Sequence, residues 1–325
     1  MKNIVYLSGL PRSGSTVLSN VLAMHPDISS TPSSPLCSIV QGMRKQWSDD
    51  PFLLAQLDSS FDTVHERLRR STMAFMQAWS NEHPTPVVID KNRGWLNGVE
   101  WLKELDPDFK IIVTLRDLRD VYTSVEKRHR KTLFLDFPDH MEHNFVDVRA
   151  NALFNDGGIV GSVLKAIQNI GDIPNIASHI YYWRFEDFIE NPQGITNHLF
   201  DFLGLGACNI DFDNIVQSTT ESDSYYRMKY LHTISPKALK PSDHTEAQIS
   251  PRILKEIESR FMWYFQQFYP QAVPFGQISP SSMPQNMTPV TTMKEASVPN
   301  MNSEIGPDDE VMIRELERSI SAEIK

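Results

Sequence analysis

Residues 6–20 read YLSGLPRSGSTVLSN. An apolar, β-rich run that starts at Asn3 passes here through a Gly/Pro/Ser loop into a helical pattern. Val17, Leu18, Val21 and Leu22 share one face of that pattern, which stops at the HPD of His25–Asp27. Gly9 to Thr16 has the spacing G-x-x-x-x-G-x-[ST], and strand–loop–helix is the context in which that spacing cradles phosphate. Gly9 and Gly14 permit the turn, backbone amides and the helix N-terminus converge on an anion, and Ser13, Ser15 and Thr16 add hydroxyl donors. The lysine of a nucleotide triphosphatase is missing: Ser15 follows the second glycine, and the loop's one cation, Arg12, precedes it. The loop therefore calls for an anion that can be held without that lysine.

Outward from the loop, PVVID (Pro86–Asp90), KIIVTL (Lys110–Leu115) and SHIYYW (Ser178–Trp183) read as strands covered on both faces, because each is a continuous apolar run. Helical stretches from Phe61 to Trp79, from Asp120 to about Lys131 and from Gln193 to Leu203 separate them. This alternation predicts an α/β fold: a P-loop-type parallel sheet flanked by helices on both faces. A last long helix is expected from Pro251, capped by Ser250 and ended at Pro270, with Leu254, Ile257, Phe261, Phe265 and Phe268 on its buried face. Residues 1–273 are expected to form the domain and 274–306, rich in Pro, Ser, Met, Asn and Thr, a flexible linker. Residues 307–325 are read as a short charged helix or disordered tail that contacts a partner or its own domain.

With 325 residues there is ample length for a core, and a formal net charge of −10 argues against a general nucleic-acid binder. Cys37 and Cys208 form neither a disulfide framework nor a metal-ligand pattern. The first strand begins too early for a signal peptide, and no apolar run is long enough to cross a bilayer. A cytoplasmic protein without membrane partners is the expectation.

The second signal is VTLRDLRDVYTSVEKR. Arg116 follows the KIIVTL strand and Ser124 lies in the next helix, so a cation and a hydroxyl can converge on one phosphate outside the carboxyl ends of the sheet. The alternative is that Arg116 pairs with Asp117 structurally. Taken together, the P-R-S-G-[ST]-T loop and the R-D-x-R-x-x-x-x-S segment resemble the sulfotransferases that use 3′-phosphoadenosine 5′-phosphosulfate (PAPS). RFEDFIENPQGITNHLFDFLGL from Arg184, VVIDKNRGWL and LHTISPKALKP extend the resemblance over about residues 3 to 270, towards a bacterial branch whose loop form is similar to that of tyrosylprotein sulfotransferases.

The resemblance implies a sulfotransferase-type fold and in-line sulfuryl transfer from PAPS to an acceptor hydroxyl or amine. The product would be 3′-phosphoadenosine 5′-phosphate (PAP), and no metal is needed. It puts the 5′ contacts at Arg12, Ser13, Gly14, Ser15 and Thr16, and the 3′-phosphate contacts at Arg116 and Ser124. Lys91 would stabilise charge on the bridging oxygen, and Lys237 would be a further nucleotide contact, with Arg227, Lys229 and Lys240 nearby. Ser33 stands where the tyrosylprotein branch has its glutamate base, so His232 is the candidate base by motif position, with His65 behind it. A small-molecule or glycan acceptor is expected over peptide tyrosine. Phe185 replaces a family tyrosine, Glu186 and His25 read as structural, and Trp95, Trp101, Met73, Phe75 and Met76 read as core rather than acceptor pocket. Two rivals remain: a kinase using Mg-ATP, with Asp90 as its magnesium carboxylate, and a catalytically inactive nucleotide-binding assembly protein.

Overall fold

The computed structural model describes residues 1–130, 145–218, 221–222, 231–232, 234 and 249–270. All lie within one compact unit, Met1–Ala272. The linker read at 274–306 and the tail at 307–325 fall outside the described residues.

The chain begins with β1 (Asn3–Gly9), α1 (Ser15–Leu22), β2 (Ile28–Ser33), α2 (Leu36–Asp49), α3 (Pro51–Ser80) and β3 (Val87–Lys91). A 3₁₀ turn at Arg93–Gly98 leads to α4 (Val99–Leu105), β4 (Lys110–Leu115) and α5 (Leu118–Arg130). Then come α6 (Val146–Phe154), α7 (Gly161–Ile170), β5 (Ile180–Arg184), α8 (Phe185–Glu190) and α9 (Pro192–Leu203). The short strands β6 (Glu221–Ser222) and β7 (Leu231–His232) pair antiparallel, and α10 (Pro251–Arg260) and α11 (Met262–Phe268) follow.

Five strands form one parallel sheet in the order β2-β3-β1-β4-β5, so the α/β expectation holds. Alternation along each strand divides the core in two. Ile4, Tyr6, Ile111 and Val113 pack on one face with Leu102, Val121, Leu164 and Leu254 from α4, α5, α7 and α10. Val5, Leu7, Ile89 and Ile112 pack on the other with Leu18 and Val21 of α1 and Leu199 and Phe200 of α9. Burying each such aliphatic side chain contributes about 1.5–3 kcal/mol. Double-sided burial is why these strands are unbroken apolar runs in the sequence.

Two elements depart from the sequence reading. Ile28–Ser33, ISSTPS, is a strand although polar and interrupted by Pro32. It lies at the sheet edge, where a missing N–H costs no ladder bond. The single helix expected from Pro251 to Pro270 is two helices, because Phe261 leaves helical geometry at φ −112°, ψ 36°. Pro251 does occupy the first turn, but Ser250 caps by extended backbone alone, without a side-chain bond. The helix read from Phe61 is the second part of α3, which is kinked at Ser60 (φ −154°, ψ 56°).

Candidate active site

Chain direction puts the carboxyl ends of β1, β3 and β4 along one edge of the sheet. β1 passes to α1 and β2 on one side, whereas β4 passes to α5 and β5 on the other. A crevice opens where neighbouring strands send their connections opposite ways. Gly9 ends β1 at φ +128° so close to its neighbour that a Cβ there would lie 2.3–2.5 Å from Thr114. Leu10 N–H then donates to the Thr114 carbonyl (2.9 Å), which fixes where the loop leaves the sheet. Arg12 (φ 59°) and Gly14 (φ 84°) are both left-handed, a geometry by which turns gather amides around an anion. At Gly14 a Cβ would also strike the Phe185 ring at 2.5 Å, so two constraints demand glycine. The first turn of α1 follows, with amides that have no partner inside the helix.

A cavity of about 170 Å³ opens beside this loop. Its wall includes Arg12, Gly14, Ser15 and Thr16 from the loop, Lys91 from β3 and Arg116 after β4, together with Ser33, Phe185 and Glu221. Lys91 is fixed by its main chain. Its N–H donates to Thr31 Oγ1 (3.2 Å), and its carbonyl accepts from Ser34 N–H (2.8 Å). Its ammonium lies 3.0 Å from Thr16 Oγ1 and donates to both oxygens of Glu221 (2.6 and 2.5 Å), while Thr16 Oγ1 donates to Glu221 Oε2 (2.6 Å). Glu221 and Lys91 expose only 4% and 10% of their side chains, so this is a buried ion pair.

Asp90, one residue earlier, points to the opposite face. It is buried and accepts from Trp95 Nε1 (2.7 Å). Burial pushes its carboxyl up to about 6 against the hydrogen bonds from Ser34 and Trp95. It does not line the cavity, so the magnesium role of the kinase alternative has no support from its position.

Arg116 Nη1 donates to the Arg12 carbonyl (2.7 Å), and its guanidinium lies 4.8 Å from the centre of the Phe185 ring. The Arg12 side chain in turn donates from Nε to Ser124 Oγ (3.1 Å). Arg116 and Ser124 thus each bond Arg12 of the Gly9–Thr16 loop, and of the two Arg116 lines the cavity whereas Ser124 does not. Asp117 pairs with Arg119 (2.6 Å), and the structural partner of Arg116 is instead Asp120, at 3.9 Å.

Other readings shift. The Ser13 hydroxyl lies 2.6 Å from the Leu10 carbonyl and 2.7 Å from Thr114 Oγ1, fully buried, so it braces the loop and does not face the cavity. His65 stacks on Phe61 and lines a separate groove with Trp47 and Trp101, away from Lys91. His25 accepts from Asp27 N–H (3.1 Å) and donates from Nε2 to the Gly206 carbonyl (3.2 Å), as a structural histidine does. Glu186 is likewise structural, taking Asp117 N–H and Tyr269 OH (2.9 Å each), and burial raises its pKa. Trp95 and Met76 are core, with Met73, Phe75 and Trp101 packed against it. The backbone of His232 pairs with Glu221 across β6–β7. Lys237, Arg227, Lys229 and Lys240 lie outside the described residues.

Glu221 itself was missed in the sequence. It stands in a polar stretch, QSTTESDS, without periodicity, 205 residues from Thr16 and 130 from Lys91. Its carboxylate is also a test of what the cavity accepts: an oxyanion seated on the Thr16 hydroxyl and the Lys91 ammonium. A phosphate or sulfuryl oxygen fits the same donors. Among the described residues no cluster of three or more His, Cys, Asp or Glu could hold a metal ion, and no helix is long and apolar enough to cross a membrane.

Comparison with known proteins matches residues 5–207 to the model of the Sulfotransferase family. The human protein-tyrosine sulfotransferase 1 is 26% identical over 128 residues, 38% of this chain and 34% of that protein. The Caenorhabditis elegans protein-tyrosine sulfotransferase A is 23% identical over 127 residues, 38% of this chain and 33% of that protein. Each match therefore spans about a third of the relative's length. Among solved structures, a sulfotransferase from Alicyclobacillus acidocaldarius superposes with a TM-score of 0.49 at 14% identity, covering 82% of this chain and 94% of the other. A mouse sulfotransferase in complex with PAP gives a TM-score of 0.47 at 13% identity, covering 82% and 85%.

Proposed function

Since this chain belongs to the sulfotransferase family, we propose that it moves a sulfuryl group from PAPS to the hydroxyl of a small-molecule or glycan acceptor. The observation that carries this reading is the meeting of Arg12, Thr16, Lys91 and Arg116, drawn from three strands, around one cavity. When bound, the donor supplies a sulfuryl group activated by its phosphosulfate anhydride, with PAP as the leaving group.

In this reading Arg12, Thr16 and the amides of Gly14 and Ser15 grip the 5′ end. The amide of Ser13 joins them, since its hydroxyl is used within the loop. Arg116 and Ser124 grip the 3′-phosphate, with Lys237 as a further contact. The breaking bond is the one between sulfur and the bridging oxygen, and Lys91 neutralises the charge that grows there. A preorganised cation in a buried site does this without reorganisation and accounts for about 2.7–4 kcal/mol of barrier in comparable cases. Because sulfuryl carries less charge than a γ-phosphoryl group, one ammonium and two guanidiniums suffice without Mg²⁺. His232 takes the acceptor's proton. Ser33 lines the cavity but is no base, so peptide tyrosine is disfavoured as acceptor.

Calorimetric titration tests the donor. PAP is expected to bind far more tightly than ATP, and Arg116→Ala to erase most of that preference. Equal affinity for the two nucleotides in the wild type overturns the reading. Lys91→Ala separates catalysis from binding alone. Transfer of labelled sulfuryl to an acceptor panel should fall about 10²–10³-fold, whereas an unchanged rate would favour an assembly role.

A further inference from the structure

We infer that Glu221 is a built-in rival of the donor: its carboxylate occupies the anion position on Thr16 and Lys91, and an incoming phosphosulfate has to displace it. The inference rests on the donor reading above for the identity of the natural anion. The position itself is defined by the contacts of this chain.

Both Glu221 oxygens are engaged, Oε1 by Lys91 and Oε2 by Lys91 and Thr16 together, at 2.5–2.6 Å. Two oxygens on a hydroxyl and an ammonium reproduce one edge of a tetrahedral oxyanion. A second anion cannot join them, because two negative oxygen groups at hydrogen-bond range repel and compete for the same protons. Nor does Glu221 leave at no cost, for the pair is buried and parting it gives up a close ionic contact.

A general-base role for Glu221 does not fit this geometry. In-line transfer puts the acceptor and its base on the side of sulfur opposite the leaving oxygen. Glu221 sits on Lys91 and Thr16, the groups assigned to the leaving side. It therefore acts before chemistry, by holding the donors in an anion-satisfied arrangement. The apparent affinity of any oxyanion is then its intrinsic affinity multiplied by the fraction of molecules in which Glu221 has swung away. The pair also preorganises the cation: Lys91 is kept in the cavity instead of reaching for solvent.

The test is isothermal titration of the full chain with inorganic pyrophosphate and, separately, with PAP. Glu221→Gln keeps the shape and removes the charge, and it is expected to bind pyrophosphate and PAP about ten-fold more tightly than wild type. Unchanged or weaker pyrophosphate binding by a folded Glu221→Gln chain overturns the inference. Weaker binding would make Glu221 part of the anion grip rather than its rival. If pyrophosphate affinity rises while PAP binds neither protein, the inference stands and the donor reading falls. If wild type prefers PAP over ATP and Glu221→Gln gains for neither probe, the donor reading stands and the inference falls. Thermal unfolding in the same buffer checks folding. Should Glu221→Gln not fold, Glu221→Asp withdraws the carboxylate by one methylene and is expected to gain about three-fold, with no gain overturning the proposal.

Discussion

Asp90 and Lys91 are adjacent on β3 and face opposite sides of the sheet, one into the core beside Trp95 and the other into the cavity. That alternation gives Asp90 a measurable signature. Burial raises its carboxyl from 3.8 to about 6. The folded chain therefore keeps a proton that the unfolded chain has released. The stability tied to this proton is present in full below about pH 4 and is lost as pH rises through about 6, to a limit of about 3 kcal/mol. Asp90→Asn still accepts from Trp95 but has no charge to bury. Urea unfolding across pH 4–7 should find the two proteins alike at the acid end and the variant more stable above pH 6. Equal stability throughout would mean that Asp90 is solvated. At this scale the sequence yields residues whose role is local. Gly9 and Gly14 are readable from loop spacing, and Lys91 from its motif. The inward turn of the Ser13 hydroxyl depends on Thr114, 101 residues away, and is not readable.

Among the elements, legibility follows burial. Strands β1, β3 and β4 carry central apolar runs, Ile4–Leu7, Val87–Ile89 and Ile111–Val113, because both faces are covered there, and these runs stand out. β2 carries Ser, Thr and Pro because only its inner edge is paired, so nothing in its pattern distinguishes it from a loop. The break at Phe261 is equally hidden, since Leu254, Ile257, Phe265 and Phe268 keep the buried spacing on either side. One inter-helix contact joins α5 to α6 through buried charge. Glu126 of α5 is fully buried and takes two bonds from Arg149 of α6 (3.1 and 2.5 Å) and one from Arg130 (3.1 Å). Burial alone would raise the Glu126 pKa, but Arg149 and Arg130 outweigh it and hold the carboxyl below its ordinary value. Arg149→Ala leaves that charge with Arg130 alone and should cost about 3 kcal/mol. The expected observation is a lower urea midpoint at unchanged slope, with most of the loss recovered in the double variant Glu126→Leu, Arg149→Met. A midpoint unmoved by Arg149→Ala would show that Arg130 suffices.

For the whole molecule, order in the sheet decides what composition cannot. A chain of net charge −10 has no general attraction for a multiply charged anion. Its cations are gathered locally, where burial keeps them effective while the distant negative surface is screened beyond about 10 Å in ordinary salt. The order β2-β3-β1-β4-β5 makes β1 neighbour to both β3 and β4, and this brings the loop, Lys91 and Arg116 to one crevice. The parallel sheet was legible from alternating elements, and two of the segments at its crevice, the Gly9–Thr16 loop and the stretch from Arg116, from their motifs. Glu221 was not, because only the finished fold sets a residue from a short, unpatterned strand against the first helix. Arg12 is tied to the β4–α5 junction twice, its carbonyl to Arg116 and its guanidinium to Ser124, across 104 and 112 residues. An engineer who transplants the Gly9–Thr16 turn alone will inherit strong epistasis with α5. Beneficial changes at either segment should emerge from selection as matched pairs, seldom singly.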